Sequence, residues 1–146
     1  MWETIAAEAE AESRLWGEAL RVPAERELEP VFSPLADERY ALGLETIYEG
    51  YLVHYGRPRL FRTLDEDEAL LLGDYLYAHG LVRIASLGEV DVVAALAELI
   101  ARCSYLRAEG RDGDGEAWAA TAASLGDGDR DGARERALAA HARRVG

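Results

Sequence analysis

Two strongly apolar helical segments, joined by a very short connection, dominate residues 70–106. Their periodicity predicts one helix at 66–87 and a second at 89–108, with Gly88 as the stop between them. Each segment is apolar around most of its circumference, and such a helix must be buried against the rest of the chain or against a partner. This helix pair therefore constrains the fold more than any other feature of the sequence.

The remainder of the chain carries the same helical signature. Ala, Leu, Glu and Arg dominate, and no segment sustains the alternation of apolar and polar residues that marks a strand. The pattern predicts an all-α compact helical bundle of about six helices in a single domain, residues 1–146. Its helices are expected at 2–20, 34–55, 66–87, 89–108, 116–125 and 133–144. We expect the core at about 34–108 and a less committed helical part at 111–146.

Charge and composition exclude several classes of protein. The chain has 28 acidic and 16 basic residues and a net charge of −12, which opposes non-specific binding to nucleic acid. No apolar run reaches the roughly 18 residues that a membrane span needs. The single cysteine allows no disulfide within the chain and favours a cytoplasmic setting. The three histidines lack metal-ligand spacing, so the sequence predicts no metal site.

Four short motifs follow one another along the middle of the sequence. They are Tyr55-Gly56-Arg57-Pro58, Leu71-Leu72-Gly73-Asp74-Tyr75-Leu76, Leu87-Gly88-Glu89-Val90 and Ala108-Glu109-Gly110. In order and approximate spacing, residues 45–110 resemble the middle of an all-trans isoprenyl (polyprenyl) diphosphate synthase. In that family an Arg-Arg-Gly-x-Pro segment precedes a helix with a Leu-x-Gly-Asp-Tyr/Phe-Leu pattern, a short turn and a helix ending in Glu-Gly-Glu. The resemblance implies a short, degenerate member with a bundle like the N-terminal half of the isoprenoid synthase fold.

The positions that carry catalysis in that family are changed here. Counting back from the glycine–proline segment places Glu45, Thr46 and Glu49 where the family has the aspartate-rich motif that holds Mg²⁺ against the allylic diphosphate. His54 and Tyr55 stand where the family has its two arginines. Ionisation of the diphosphate depends on charge stabilisation by such groups. The resemblance therefore implies no catalytic residue and no cofactor for this chain alone, with Mg²⁺ only on a catalytic partner.

Two further sets of residues follow from the resemblance. The region that could hold a ligand or limit product length corresponds to Tyr40, Ala41, Tyr48 and Arg57. The family's dimer contact corresponds to the two apolar helices, where we expect an interface formed by Leu72, Tyr75, Leu76, Leu81, Val92, Leu96 and Leu99. The apolar character of these helices independently favours an interaction site.

These expectations lead to one principal hypothesis and leave alternatives open. The principal hypothesis is a non-catalytic small or regulatory subunit of a heteromeric polyprenyl diphosphate synthase, which stabilises the full-length catalytic subunit and influences product chain length. The alternatives are a stand-alone helical protein that binds an isoprenoid or other apolar ligand, a self-associating homodimeric scaffold, and an altered enzyme that uses Glu45 and Glu49.

Overall fold

The computed structural model describes residues 1–127 and 131–145. Seven α-helices form the regular structure of these residues: α1 (Trp2–Glu12), α2 (Arg14–Ala19), α3 (Ala41–Tyr55), α4 (Glu66–Ala85), α5 (Val90–Ala108), α6 (Asp114–Ser124) and α7 (Ala133–Val145). No strand occurs in these two ranges, in which an isolated bridge pairs Leu20 with Phe61. The predicted all-α compact bundle is confirmed.

Helix α3 occupies the centre of the bundle. Eleven of its 15 residues are buried, and they form one uninterrupted run at 43–53. Helix α4 lies directly against α3, and glycines make this close approach possible. A Cβ atom on Gly73 would come less than 3.0 Å from the His54 ring, and one on Gly80 less than 3.0 Å from Ile47. Gly73 of the sequence motif therefore has a packing role between the two helices.

The apolar side chains form two clusters. The larger cluster joins α3 to α5, α6, α7 and the segment before α3, and its aromatic members include Phe32, Tyr48, Tyr51 and Trp118. The smaller cluster joins α1 and α2 to α4 and to the segment after α3. Both ends of the chain therefore contribute to the packed interior, beyond the central region that the sequence marks as the core.

The helix expected at 2–20 is divided into two. Ser13 separates α1 from α2 with an extended backbone (φ −156°, ψ 136°), and its hydroxyl accepts a hydrogen bond from Leu15 N–H at 3.1 Å. Serine suits this N-cap position because its side chain satisfies a backbone N–H that the new helix leaves free. The apolar stripe of the sequence is consequently shared by two short helices that pack against each other.

Helix α3 begins later than residue 34, where a candidate N-cap serine followed by proline, Ser33-Pro34, favours a helix start. Ser33–Leu35 and Glu38–Tyr40 form separate 3₁₀ turns, and α3 starts only at Ala41. The N–H of Ser33 donates to the Glu45 carboxylate at 3.0 Å. A tertiary contact therefore fixes this segment in place of the local helix signal.

The other helix boundaries agree with the sequence to within two residues. Asp65 caps α4 and accepts a hydrogen bond from Glu68 N–H at 2.9 Å. Gly88 follows α4 with φ +80°, a left-handed conformation that glycine adopts without steric cost. These signals are reliable because each depends on only a few neighbouring residues.

Candidate functional site

Glu45, Thr46 and Glu49, which the sequence resemblance aligned with an aspartate-rich motif, lie on the central helix α3. All three residues are fully buried. Thr46 donates its hydroxyl to the Leu42 carbonyl one turn earlier, at 2.6 Å. The two glutamates are one helical turn apart and share a face of α3. Two buried carboxylates at this separation require a compensating positive charge.

Arg59 supplies that positive charge. Its side chain is also fully buried, with Nη1 2.5 Å from Glu45 Oε1 and Nε 2.9 Å from Glu49 Oε1. The guanidinium donates further hydrogen bonds to the backbone carbonyls of Glu29 (2.9 Å) and Glu45 (3.2 Å). Burial alone would lower the pKa of Arg59, but the two carboxylates outweigh burial and raise it. We refer to Arg59, Glu45 and Glu49 as the Arg59 network.

Backbone amides satisfy the remaining carboxylate oxygens of the network. Glu45 Oε2 accepts hydrogen bonds from the N–H groups of Val31 (3.1 Å) and Ser33 (3.0 Å). Glu49 Oε2 accepts from the N–H groups of residues 59 and 60, at 2.9 and 2.8 Å. The chain segments before and after α3 are thereby tied to the same helix.

Aromatic rings enclose the guanidinium. The Arg59 guanidinium carbon lies 4.6 Å from the ring centroid of Trp2 on α1 and 5.1 Å from that of Tyr48 on α3. The negative face of an aromatic ring attracts a cation, most strongly where water is excluded. Trp2 also brings the N-terminal helix onto the network, so that separate parts of the chain converge on one charged centre.

The Arg59 network leaves no carboxylate oxygen free for a metal ion. All four oxygens of Glu45 and Glu49 have hydrogen-bond donors at 2.5–3.2 Å. Mg²⁺ would need such oxygens in an octahedral shell at about 2.1 Å. Within the described ranges, no three histidine, cysteine or acidic side chains are placed to hold a metal ion together. Glu45 and Glu49 therefore belong to an internal ion network in which Arg59 is the cation.

The residues predicted to form a ligand or chain-length region lie in different environments. Tyr40 is buried directly before α3, and Ala41 next to it is half-buried. Tyr48 is buried, and its hydroxyl hydrogen-bonds to His141 Nδ1 on α7 at 2.8 Å. Arg57 lies at the surface in an ion pair of 3.2 Å. A surface cavity of about 560 Å³ lies elsewhere, between α5 and α6.

A second polar network, which the sequence analysis did not identify, joins α3 to α5 and α6. The Tyr51 hydroxyl donates to Asp114, and Arg107 donates to Asp114 Oδ2 (2.8 Å) and to the Tyr51 hydroxyl oxygen (2.9 Å). Burial raises the pKa of Asp114, but the hydrogen bonds from Tyr51 and Arg107 outweigh burial and lower it. Tyr51 and Asp114 are 63 residues apart. No local spacing in the sequence signals such a pair.

Most of the predicted interface residues are covered within the chain itself. Leu72 and Leu76 lie in the smaller cluster, under α1 and α2. Val92, Leu96 and Leu99 lie in the larger cluster. These five side chains are buried, so a partner cannot reach them without displacing other helices.

The other two predicted interface residues are half-buried. Tyr75 stacks on Trp16 of α2 with ring centroids 6.4 Å apart, and Leu81 packs against the larger cluster. Most of the predicted interface side chains of both helices are thus buried within the chain itself. The sequence cannot reveal which helices bury these side chains. Helices α1 and α2 lie far from α4 along the chain, and α6, although close to α5 in sequence, has a weaker apolar pattern.

Each of the two helices nevertheless exposes a second, different set of small and apolar side chains. On α4 this set comprises Leu71, Asp74, Ala78, Val82 and Ala85; on α5 it comprises Val90, Ala94, Ala97, Ala101, Ser104 and Ala108. Other exposed residues flank the two sets: Glu66, Asp67 and Leu70 on α4, and Asp91, Glu98, Arg102 and Tyr105 on α5. The spacings alternate between three and four residues, so each set follows one face of its helix. We call these two sets the docking stripes. Asp74 is their one charged member.

Large exposed apolar side chains concentrate in the same part of the fold. Of the ten found in the described residues, six belong to α4, α5 or the turn between them: Leu70, Leu71, Val82, Leu87, Val90 and Tyr105. Exposed charged residues, among them Asp67, Glu98 and Arg102, border these apolar positions on the same two helices. Exposed apolar surface of this kind marks an interaction site.

Asp74 has a histidine neighbour on α3. His54 Nε2 lies 3.2 Å from Asp74 Oδ1, and the side chains differ in exposure, 11% for His54 and 66% for Asp74. The imidazole occupies the space that a side chain on Gly73 would fill. Burial lowers the pKa of His54, and the nearby carboxylate opposes this effect only in part.

Comparisons with known proteins give no family assignment. The chain matches no protein-family model, no curated protein and no solved structure. None of the helices in residues 1–127 and 131–145 has the length and apolar character needed to cross a membrane. A functional proposal therefore depends on the Arg59 network and the docking stripes.

Proposed function

We propose that this chain is a non-catalytic small subunit of a heteromeric polyprenyl diphosphate synthase in the cytoplasm. In this role it docks on a full-length catalytic subunit through α4 and α5, stabilises that subunit and influences the length of its product. The observation that carries the proposal is the concentration of exposed apolar and small side chains in the docking stripes of two adjacent helices.

The Arg59 network supports the non-catalytic part of the proposal. Catalysis by this class of enzyme needs open carboxylates for Mg²⁺ and cationic groups for diphosphate. Here Glu45 and Glu49 are buried and neutralised by a side chain of the same protein. The network also argues against an altered enzyme that would use these two glutamates.

The dimensions of the docking stripes support a protein partner. Helices α4 and α5 have 20 and 19 residues, and each is therefore about 30 Å long. With roughly 10 Å of width each, the two helices present about 600 Å² of surface to a partner. A partner that covers it buries a similar area of its own, so the interface buries about 1,200 Å² on both sides together, at the lower end of specific interfaces. Small side chains on α5, such as Ala94, Ala97 and Ala101, allow another helix to approach closely.

Co-expression with a full-length synthase from the same genome tests this proposal. We expect the two proteins to co-elute and the product length to change when this chain is present. Val82→Glu and Ala97→Glu place charge in the stripes and should abolish co-elution. Leu15→Glu, at an exposed position on α2, is the matched control and should co-elute normally. Separate elution of the wild-type proteins with unaltered product length would contradict the proposal.

A homodimeric scaffold is the second candidate, because the exposed apolar side chains of α4 and α5 can also pack against a second copy. The net charge of −12 opposes this association, so the apolar contact has to outweigh the repulsion between copies. Light scattering coupled to size-exclusion chromatography distinguishes the two candidates, because the scaffold is a dimer in the absence of any synthase.

A further inference from the structure

We propose that helix α7 is a lid over the aromatic part of the larger cluster, held shut by a salt-sensitive latch between Arg144 and the carboxylates of Glu27 and Glu29. Opening of this lid uncovers Phe32 and Tyr48 while the rest of the bundle stays folded. The inference goes beyond the proposed subunit role, because it involves no residue of the docking stripes and does not depend on a synthase.

Helix α7 lies on aromatic rings but adds little apolar bulk of its own. The His141 ring centroid is 5.5 Å from that of Phe32 and 5.9 Å from that of Tyr48, and both of these rings are fully buried. The buried apolar side chains of α7 are Ala137 and Ala140, each a single methyl group. Its half-buried apolar side chains at the edge of the cluster are Ala133, Leu138 and Val145. Since stabilisation by apolar burial scales with the area removed from water, α7 depends strongly on its polar contacts.

These polar contacts join the second half of α7 to the segments before and after α3. Arg144 Nη1 lies 3.6 Å from Glu27 Oε2, and its Nη2 lies 3.8 Å from Glu29 Oε2. Arg143 Nη2 lies 3.2 Å from Glu29 Oε1, and Arg57 Nη1 lies 3.2 Å from Glu27 Oε1. The Arg57 backbone N–H also donates to the Arg144 carbonyl at 2.9 Å. We call these five residues the α7 latch.

Arg144 is the member of the α7 latch that favours opening. Its side chain is only 3% exposed, and removal of a guanidinium from water is costly unless hydrogen bonds and counter-charges compensate it. Both carboxylate distances are longer than a hydrogen bond. The guanidinium donates to the Arg57 carbonyl at 3.3 Å, and its Nε has no partner among the described residues. The closed lid therefore depends on the attraction of the two carboxylates, and opening returns the cation to water.

Dissolved ions can reach the carboxylates of the latch. The side chains of Glu27 and Glu29 are 37% and 46% exposed, and the screening length falls from about 10 Å at 0.1 M salt to about 3 Å at 1 M. An exposed pair at the start of α7, Arg134 with Glu116 at 2.7 Å, weakens in the same way. Salt has the opposite effect on the whole fold, because it reduces the self-repulsion of a chain with net charge −12. Faster opening of α7 in salt is therefore specific to its ion pairs.

Hydrogen–deuterium exchange of the full chain, resolved by peptide mass spectrometry at constant pH, measures opening of the lid. We expect the amides of α7 to exchange at least about threefold faster in about 1 M than in about 0.1 M sodium chloride, while those of α3 and α5 do not. Ala140→Cys provides a second measurement, because uncharged iodoacetamide alkylates a cysteine at this buried position only when α7 opens. The buried native Cys103 on α5 is the internal reference.

Two latch variants should act in different directions. The double variant Glu27→Gln with Glu29→Gln leaves the Arg144 guanidinium buried without counter-charge, so exchange of α7 in about 0.1 M salt should rise at least about tenfold. Arg144→Met removes the buried cation, and the two glutamates remain hydrated and paired with the other arginines. Its α7 should exchange no faster than that of the wild type, because an apolar side chain of similar length often replaces a buried ion pair without loss.

A matched control removes the same charge elsewhere. Glu12→Gln with Glu18→Gln changes two exposed positions on α1 and α2 and should leave exchange of α7 as in the wild type. Exchange of α7 that equals that of α3 in both salts overturns the lid, because the helix then opens only with the whole bundle. Unchanged exchange in the Glu27→Gln, Glu29→Gln variant, or faster exchange in Arg144→Met, overturns the latch. Loss of protection in α3 of the double glutamine variant also overturns the proposal, since the carboxylates then hold the entire fold.

Discussion

Replacement of Arg59 by methionine tests whether the Arg59 network holds the fold together. Methionine has a similar length and no charge, so the variant removes the cation and leaves Glu45 and Glu49 buried without compensation. The guanidinium also donates to the carbonyls of Glu29 and Glu45, and Arg59→Met withdraws these two donors as well.

The expected loss of stability is large relative to the total. Removal of one partner from a buried ion pair costs about 3–5 kcal/mol, and Arg59→Met leaves two buried carboxylates without their shared cation. We therefore expect Arg59→Met to lower the free energy of unfolding by at least about 4 kcal/mol, in a domain whose whole stability is about 5–15 kcal/mol.

Urea denaturation followed by circular dichroism and tryptophan fluorescence measures this difference. Protonation of the stranded carboxylates relieves their charge, so the folded variant binds more protons than its unfolded state does. Its stability should therefore rise as pH falls. Arg14→Met removes the exposed Arg14–Glu18 pair and serves as the control, with an expected change below about 0.5 kcal/mol.

A charge-neutral variant provides the decisive comparison. Arg59→Met combined with Glu45→Gln and Glu49→Gln removes all three charges, while the glutamine oxygens can still accept from the backbone amides. This triple variant should recover at least half of the lost stability. A single Arg59→Met change within about 1 kcal/mol of wild type, or one whose stability ignores pH, would refute the reasoning.

Three further predictions follow from the packing. Gly73→Ala forces a methyl group against the His54 ring and should cost about 1–3 kcal/mol, measured by urea denaturation; an unchanged midpoint would show that α3 and α4 can separate freely. Burial lowers the pKa of His141, so the unfolded state takes up a proton at a higher pH than the folded state, and stability should fall as pH drops below about 6.5. His141→Gln, which can still bond to Tyr48, should reduce this loss of stability by up to about 1.4 kcal/mol per pH unit. An unchanged dependence of stability on pH in this variant would contradict the role of His141. Burial raises the pKa of the Cys103 thiol to about 12, so a thiol reagent should label it only in urea, and rapid labelling of the native protein would be inconsistent with its position in the core.

The sequence predicts the outline of the fold because its strongest signals are local. Helical periodicity and the glycine stop at Gly88 each involve a few adjacent residues, and both are found in the structure. Local signals mislead where a tertiary contact competes with them. The start of α3 shifts to Ala41 because the segment before it donates to the Glu45 carboxylate.

The candidate site is predictable only in part. The sequence places Glu45 and Glu49 on one face of a helix, but it does not predict that both are buried and paired within the chain. It does not identify Arg59 as the cation, because the choice depends on how the chain turns after α3. The docking stripes show the same limit, since apolar residues such as Leu72 and exposed ones such as Leu71 are neighbours in sequence and differ only in what covers them.

The sequence by itself determines that this protein is an all-α bundle with two unusually apolar adjacent helices and with Glu45 and Glu49 at one position on the face of another helix. Only the tertiary structure decides that Arg59 closes this position and that α1 and α2 cover one face of α4 while another remains open. The physical reason is range. Helix formation depends on contacts between residues three and four apart, whereas burial and charge compensation depend on segments that meet only when the chain is folded.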